Sequence, residues 1–142
     1  MFEKTKVILL LGIIVLIFNG CSSISDKEAY VKEIVESELS PNGKYQAVVF
    51  IDGGGDATVD FSKHVIILRK DQSLNKGDKL KNSQSIFKGY HIHDVVVKWQ
   101  DDNSLSIYHD YDKGVVKQDT PKDGIEIQYI YTKKGDNIFN DK

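Results

Sequence analysis

The chain of 142 residues holds one cysteine, two prolines, one methionine and one tryptophan. A single thiol excludes an intramolecular disulfide and any cysteine-built metal cluster, so packing and backbone hydrogen bonds must hold the fold. No apolar run reaches the twenty or so residues that a bilayer core of about 30 Å requires. Basic residues are not in excess: 19 Lys and Arg stand against 21 Asp and Glu, a net charge of −2. That balance argues against nucleic acid as a partner, which calls for a concentrated basic face. No helical patterns of 10–15 residues alternate with strand patterns, so a parallel α/β sheet is not expected. No internal repeat occurs, no G-x-S-x-G elbow, and no Gly-Lys-Ser/Thr ending of a phosphate loop.

What is present begins with Val7 to Phe18, twelve apolar residues with one Gly, preceded by Lys4 and Lys6. As a helix this run spans roughly 18 Å, short for a permanent span and suited to the h-region of an export signal. Gly20, Cys21, Ser22 and Ser23 follow. This ending resembles the lipobox of bacterial lipoproteins, with Phe18 where Leu is usual and Asn19 where Ala or Ser is usual. The resemblance implies cleavage before Cys21 and a diacylglyceryl anchor on its thiol. The alternatives are an uncleaved signal anchor or an ordinary signal peptide with a chance Cys. Two acyl chains, each methylene worth about 0.8 kcal/mol, suffice for stable anchoring. Cleavage leaves 122 residues with 17 basic and 20 acidic side chains, enough for one domain.

Ser22 to Glu28 reads as a polar tether. Residues 28–39 fit a short amphipathic helix or, over Ile34–Leu39, a first strand, and a strand at the end is favoured because the SPNGKY turn follows directly. SPNGKY is a turn with a mechanism: Pro41 presets φ, and Asn42-Gly43 tolerate positive φ. Tyr45 to Asp52 and Phe61 to Lys70 are rich in β-branched residues and read as strands, the first buried on both faces. Residues 71–84 are polar and Gly-broken and read as a solvated excursion. Further strands are expected over Ser85–His91, Asp94–Gln100 and Leu105–Tyr111, around Val115-Val116, and over Ile125–Thr132. The expectation is a mainly β chain: a single antiparallel β sandwich or half-open barrel of six to eight strands, after an N-terminal signal helix. The parts are a signal peptide at 1–20, lipidated Cys21 and tether at 21–28, a β domain at 29–135 and a frayed tail at 136–142.

Candidate chemistry is sparse. Gly53, Gly54 and Gly55 expose backbone N–H groups that could cradle an anion. Asp52, Asp56 and Asp60 could offer oxygens to Ca²⁺, but their spacing of four is not that of a calcium loop. A glycine-permitted β connection explains the stretch without a ligand. His91 and His93, two apart on a strand, would share a face, and Asp94, His64 or His109 could complete a Zn²⁺ or Cu²⁺ set if they converged. Histidines at the surface or rim are the plain alternative. Asp101-Asp102 sits in a turn, where solvent leaves nothing to raise a pKa for acid catalysis. Tyr90, Trp99, Tyr108, Tyr111, Tyr129 and Tyr131 read mainly as β packing, with glycan or protein contact as the other use of such a face.

SPNGKYQAVVF, GGGDATVDFS running into HVIIL, SIFKGYH and VVVKWQDDNSLSI together resemble small Gram-positive lipoproteins built on a domain of unknown function. The resemblance covers residues 34–110, and Asp56 stands where that pattern has a Gly. It implies an envelope domain and no catalytic residues. The resulting expectation is a lipid-anchored protein on the extracytoplasmic face of the cell membrane. It acts as a non-catalytic binding or interaction module for an envelope protein or glycan. No cofactor, metal ligand or catalytic residue is assigned, and Cys21 is the one site. The alternatives are a small metal-dependent envelope hydrolase using the histidines, and an inhibitor or immunity lipoprotein.

Overall fold

A computed structural model describes residues 28–53, 61–90, 94–110, 115–118, 123–133 and 136–139. The signal run, Cys21 and the tether up to residue 27 lie outside the described residues. The described chain is mainly β, as expected, with nine strands and two short 3-10 turns. The strands are β1 (Glu28–Leu39), β2 (Tyr45–Asp52), β3 (Ser62–Arg69), β4 (Lys79–Lys81), β5 (Phe87–Tyr90), β6 (Val95–Trp99), β7 (Ser104–His109), β8 (Val115–Gln118) and β9 (Glu126–Tyr131). Strands β1-β2-β3-β5-β8 form a curled antiparallel half-barrel, and β4 adds to the outer side of β1. A second sheet has the order β6-β7-β9.

Hydrophobic periodicity explains the layering. Along β2, Ala47 and Val49 face the space between the sheets, and Val48 and Phe50 face the other way. Val65 and Ile67 of β3 join the first group, and Ile66 and Leu68 the second. The core between the sheets adds Ile86, Phe87, Val95, Val97, Leu105, Ile107 and Ile125, with Tyr45, Trp99, Ile127 and Tyr129 packed against it. Phe61, read by sequence as the first residue of this strand, precedes β3 and is 59% exposed, so it stays outside this core.

The outer apolar face needs a cover, and the chain supplies it from two places that look polar in sequence. Ala29 and Val31, both fully buried, come from the first part of β1. Leu74 and Leu80 come from the 71–84 excursion, which is therefore not simply solvated. The excursion also contributes β4, the strand beyond the expected eight, through the pairs Glu28↔Lys81, Ala29↔Leu80 and Tyr30↔Lys79. Residues 29–39 are strand throughout, and Glu28, placed in the tether by sequence, is the first paired residue. Register slips between Val31 and Glu33 and between Ile34 and Glu36 bend β1. The strand thus covers the outer face at its start and reaches the second sheet at its end.

The two sheets are stitched at two points. The Trp99 indole N–H donates to the Glu38 carbonyl at 3.0 Å, and the Tyr129 hydroxyl donates to the Ile86 carbonyl at 2.9 Å. One pair departs from the otherwise antiparallel arrangement, since β7 and β9 are parallel. The reason is topological. Between them the chain crosses to the half-barrel as β8, beside β5, and so re-enters the small sheet in the direction of β7.

Glu38 lies at the β1–β6 stitch. Its carboxyl pKa is raised, chiefly by burial and further by neighbouring Glu36, while a Trp99 backbone hydrogen bond and Lys98 act to lower it. A carboxyl with a raised folded pKa binds its proton more tightly in the native state. Its stabilising contribution is full below the ordinary carboxylate pKa and is lost as pH rises through the raised value. Glu38→Gln is therefore expected to gain stability relative to wild type at neutral pH, with the gap closing on acidification, as urea unfolding across pH 4–8 can check. Leu80→Ala is expected to cost about 1–2 kcal/mol, since the leucine is partly buried against the outer core. Lys76→Ala in the same excursion should change little, and the two denaturation midpoints decide whether the excursion is a lid on the core.

Candidate functional site

The most concentrated polar chemistry among the described residues lies on the outer face of the β2–β3 hairpin. The register pairs Asp52 with Ser62 and Phe50 with His64. Asp52, Ser62 and His64 therefore share one face at the Gly-rich end of the hairpin. Ser85 arrives from the segment before β5, which is held to β3 by the Ile86 N–H donating to the Val65 carbonyl. His64 is fully buried and stacks on Phe50, with ring centroids 5.0 Å apart. Its Nδ1 is 2.8 Å from Ser85 Oγ, and its Nε2 is 3.3 Å from Ser62 Oγ and 3.5 Å from Asp52 Oδ2. Asp52 Oδ1 accepts from the Tyr30 backbone N–H at 2.8 Å, which ties the network to β1.

Ser85, His64 and Asp52 together have the composition of a hydroxyl–imidazole–carboxylate relay. Their placement serves packing instead. Ser85 is 1% exposed, so its oxygen has no open approach to a substrate carbon in this arrangement. A hydroxyl can either donate or accept, so Ser62 and Ser85 satisfy both ring nitrogens whichever one carries the proton. The network is a polar pin through β1, β2, β3 and the residues before β5.

The other sequence candidates are dispersed. His109 of β7 is buried in the core between the sheets, 5.3 Å from the Phe87 ring and 6.2 Å from the Tyr131 ring. His64 is on the far side of the half-barrel, so these two histidines do not converge. His91 and His93, with Gly54, Gly55, Asp56 and Asp60, lie outside the described residues. Asp94 takes a hydrogen bond of a different kind: its backbone N–H donates to Asp110 Oδ1 at 3.3 Å. Among the described residues no three His, Cys, Asp or Glu side chains stand together as a metal set. Asp101 and Asp102 are exposed, and Asp101 Oδ1 accepts from the Asn103 N–H.

At the same end of the hairpin, Gly53 is closely covered. A Cβ there would stand 3.0 Å from Lys32 Cβ and 3.2 Å from the Tyr30 ring. Lys32 Nζ sits 4.3 Å above the ring of exposed Phe61. Tyr30, Ile34, Val35 and Leu39 are all exposed large apolar side chains, and all belong to β1. Among the described residues, no strand other than β2 pairs with β1 beyond Tyr30.

Sequence inspection sees Asp52 as a calcium candidate and His64 as a metal candidate, and misses their meeting. The available signal was register: a hairpin pairing Asp52 with Ser62 puts His64 diagonally opposite Asp52. Replacing His64 by Leu should strand the buried Ser85 hydroxyl, leave Ser62 only its 3.5 Å contact with Asp52, and cost about 2–4 kcal/mol, whereas Ser62→Ala should cost about 1 kcal/mol. Chemical denaturation of the two variants checks the ranking. No family model, curated protein or solved structure matches the chain.

Proposed function

We propose that the protein is a lipid-anchored module of the cell envelope that binds an envelope protein through the exposed face and margin of β1. The observation that carries this reading is the clustering of Tyr30, Ile34, Val35 and Leu39, between 37% and 57% exposed, on one strand. Single exposed apolar side chains need no explanation, but several along one strand favour a contact surface. Glu33 and Glu36 flank Ile34-Val35, and Glu38 precedes Leu39, so the surface suits a partner that offers apolar side chains with basic ones at its rim.

The anchor rests on the N-terminal reading: a twelve-residue apolar run, two lysines before it, and Gly20-Cys21 after it. The resemblance of residues 34–110 to small envelope lipoproteins points the same way. Tethering raises the local concentration of the module for partners at the same membrane. Contact through an exposed apolar strand also suits an inhibitor or immunity lipoprotein, which acts by covering a protein.

Two measurements test the two halves separately. Cys21→Ala should abolish lipid labelling and release the protein from the membrane fraction; retained labelling would sink the anchor. A photo-crosslinker at Leu39 in intact cells should capture a discrete protein, and Ile34→Asp should remove that product. Equal labelling of the same product from a crosslinker at exposed Lys133, at the far end of the small sheet, would reject β1 as the contact surface.

A further inference from the structure

The end of the hairpin opposite the polar pin carries a different surface. β1 ends at Leu39, the SPNGK turn follows, and β2 starts at Tyr45. The register pairs Tyr45 with Arg69, and the Lys70 N–H donates to the Lys44 carbonyl at 2.9 Å. Two strand ends are thereby held so that Lys44, Arg69 and Lys70 line one open depression of about 800 Å³, with Tyr45 as its wall. All three cations are exposed. Among the described residues neither Lys44 nor Lys70 has an ion-pair partner. Arg69 has one loose contact, 3.8 Å to Asp123, with both side chains about half exposed or more. Asp71 is the acidic group of the rim.

Three cationic residues line this depression against one lining carboxylate, Asp71, with Asp123 at Arg69, on a chain whose net charge is −2. Packing does not account for them, since their side chains are solvated. The cations outnumber the carboxylates beside them, Asp71 and Asp123, so an added anion would lower their mutual repulsion. The floor is open as well: Gly43 sits at φ +66°, and nothing lies within 4 Å of where its Cβ would be. The wall is firm, because Tyr45 stacks on Trp99 with centroids 6.5 Å apart. A guanidinium forks onto paired phosphate oxygens, ammonium groups add point charges, and an aromatic wall suits the carbon skeleton between phosphates.

We infer that the depression formed by Lys44, Arg69, Lys70 and Tyr45 is a binding site for a phosphodiester group. The two sources of that chemistry are a soluble phosphodiester-linked polyol and an anionic phospholipid headgroup. The site adjoins the Leu39 end of the β1 surface and does not depend on the anchor.

Titration calorimetry of the full chain in detergent with a glycerol-phosphate oligomer tests the first source. Co-sedimentation with phosphatidylglycerol–phosphatidylcholine vesicles tests the second. In whichever assay the wild type binds, the triple variant Lys44→Gln, Arg69→Gln, Lys70→Gln should bind about tenfold more weakly or worse, with a shallower salt dependence. A charge-matched control, Lys76→Gln, Lys79→Gln, Lys81→Gln, should bind within about twofold of wild type. Circular dichroism checks that each variant folds. If the triple variant does not fold, the single exposed change Lys70→Glu carries the same comparison. Absence of binding in both assays, or equal loss in site and control variants, overturns the inference.

Discussion

The structure depends on a hairpin, β2 and β3, whose two faces are both apolar. A strand pair of this kind cannot rest against solvent on either side, because each exposed Val, Ile or Phe forfeits about 1.5–3 kcal/mol of burial. One side is satisfied by the second sheet, which brings Val95, Val97, Leu105 and Ile107 onto Ala47, Val49 and Val65. The other side is satisfied by Ala29, Val31, Leu74 and Leu80. The bend of β1 and the docking of the 71–84 excursion are consequences of that second requirement.

The same requirement explains the polar pin. His64 lies on the outer apolar face, between Phe50 and the arriving Ser85. A buried imidazole is tolerated there only because hydroxyls and a carboxylate meet both of its nitrogens. In return the network links four chain segments that are far apart in sequence. The opposite end of the hairpin has no such cover. There the strand ends stop in solvent, and Lys44, Arg69 and Lys70 are displayed rather than absorbed. One end of the hairpin thus serves folding, and the other presents exposed cationic side chains.

The sheet-to-sheet stitches show how little polar chemistry is needed once the core is set. Trp99 and Tyr129 each place an aromatic body in or against the core and a single donor on a backbone carbonyl of the facing sheet. Both carbonyls belong to chain that has no strand partner on that side among the described residues. Side-chain donors therefore do at these margins what a ladder does elsewhere. They also leave the margin of β1 partly open, next to its exposed apolar side chains.

Much of the fold was legible in local pattern. The strands β2, β3, β6, β7 and β9, the SPNGK turn and the mainly β class follow from β-branched alternation and turn chemistry, which act over a few residues. The strand over Ile34–Leu39 was legible from the turn that follows it, but the strand state of residues 28–33 and the existence of β4 were not, because both depend on pairing with each other and with β2. Leu74 and Leu80 are isolated apolar residues in polar surroundings, and only the bare outer face of the hairpin gives them a place to go. The parallel β7–β9 pair was hidden for the same reason, since the path of β8 decides it. As for sites, the sequence by itself determined which residue types exist: one thiol at Cys21, four histidines and no cysteine-built metal set. Only the tertiary structure decided that His64 meets Asp52, that His109 does not join them, and that three scattered cations share one depression. The physical reason is that composition and periodicity are local, while strand register and sheet curvature set which distant side chains touch.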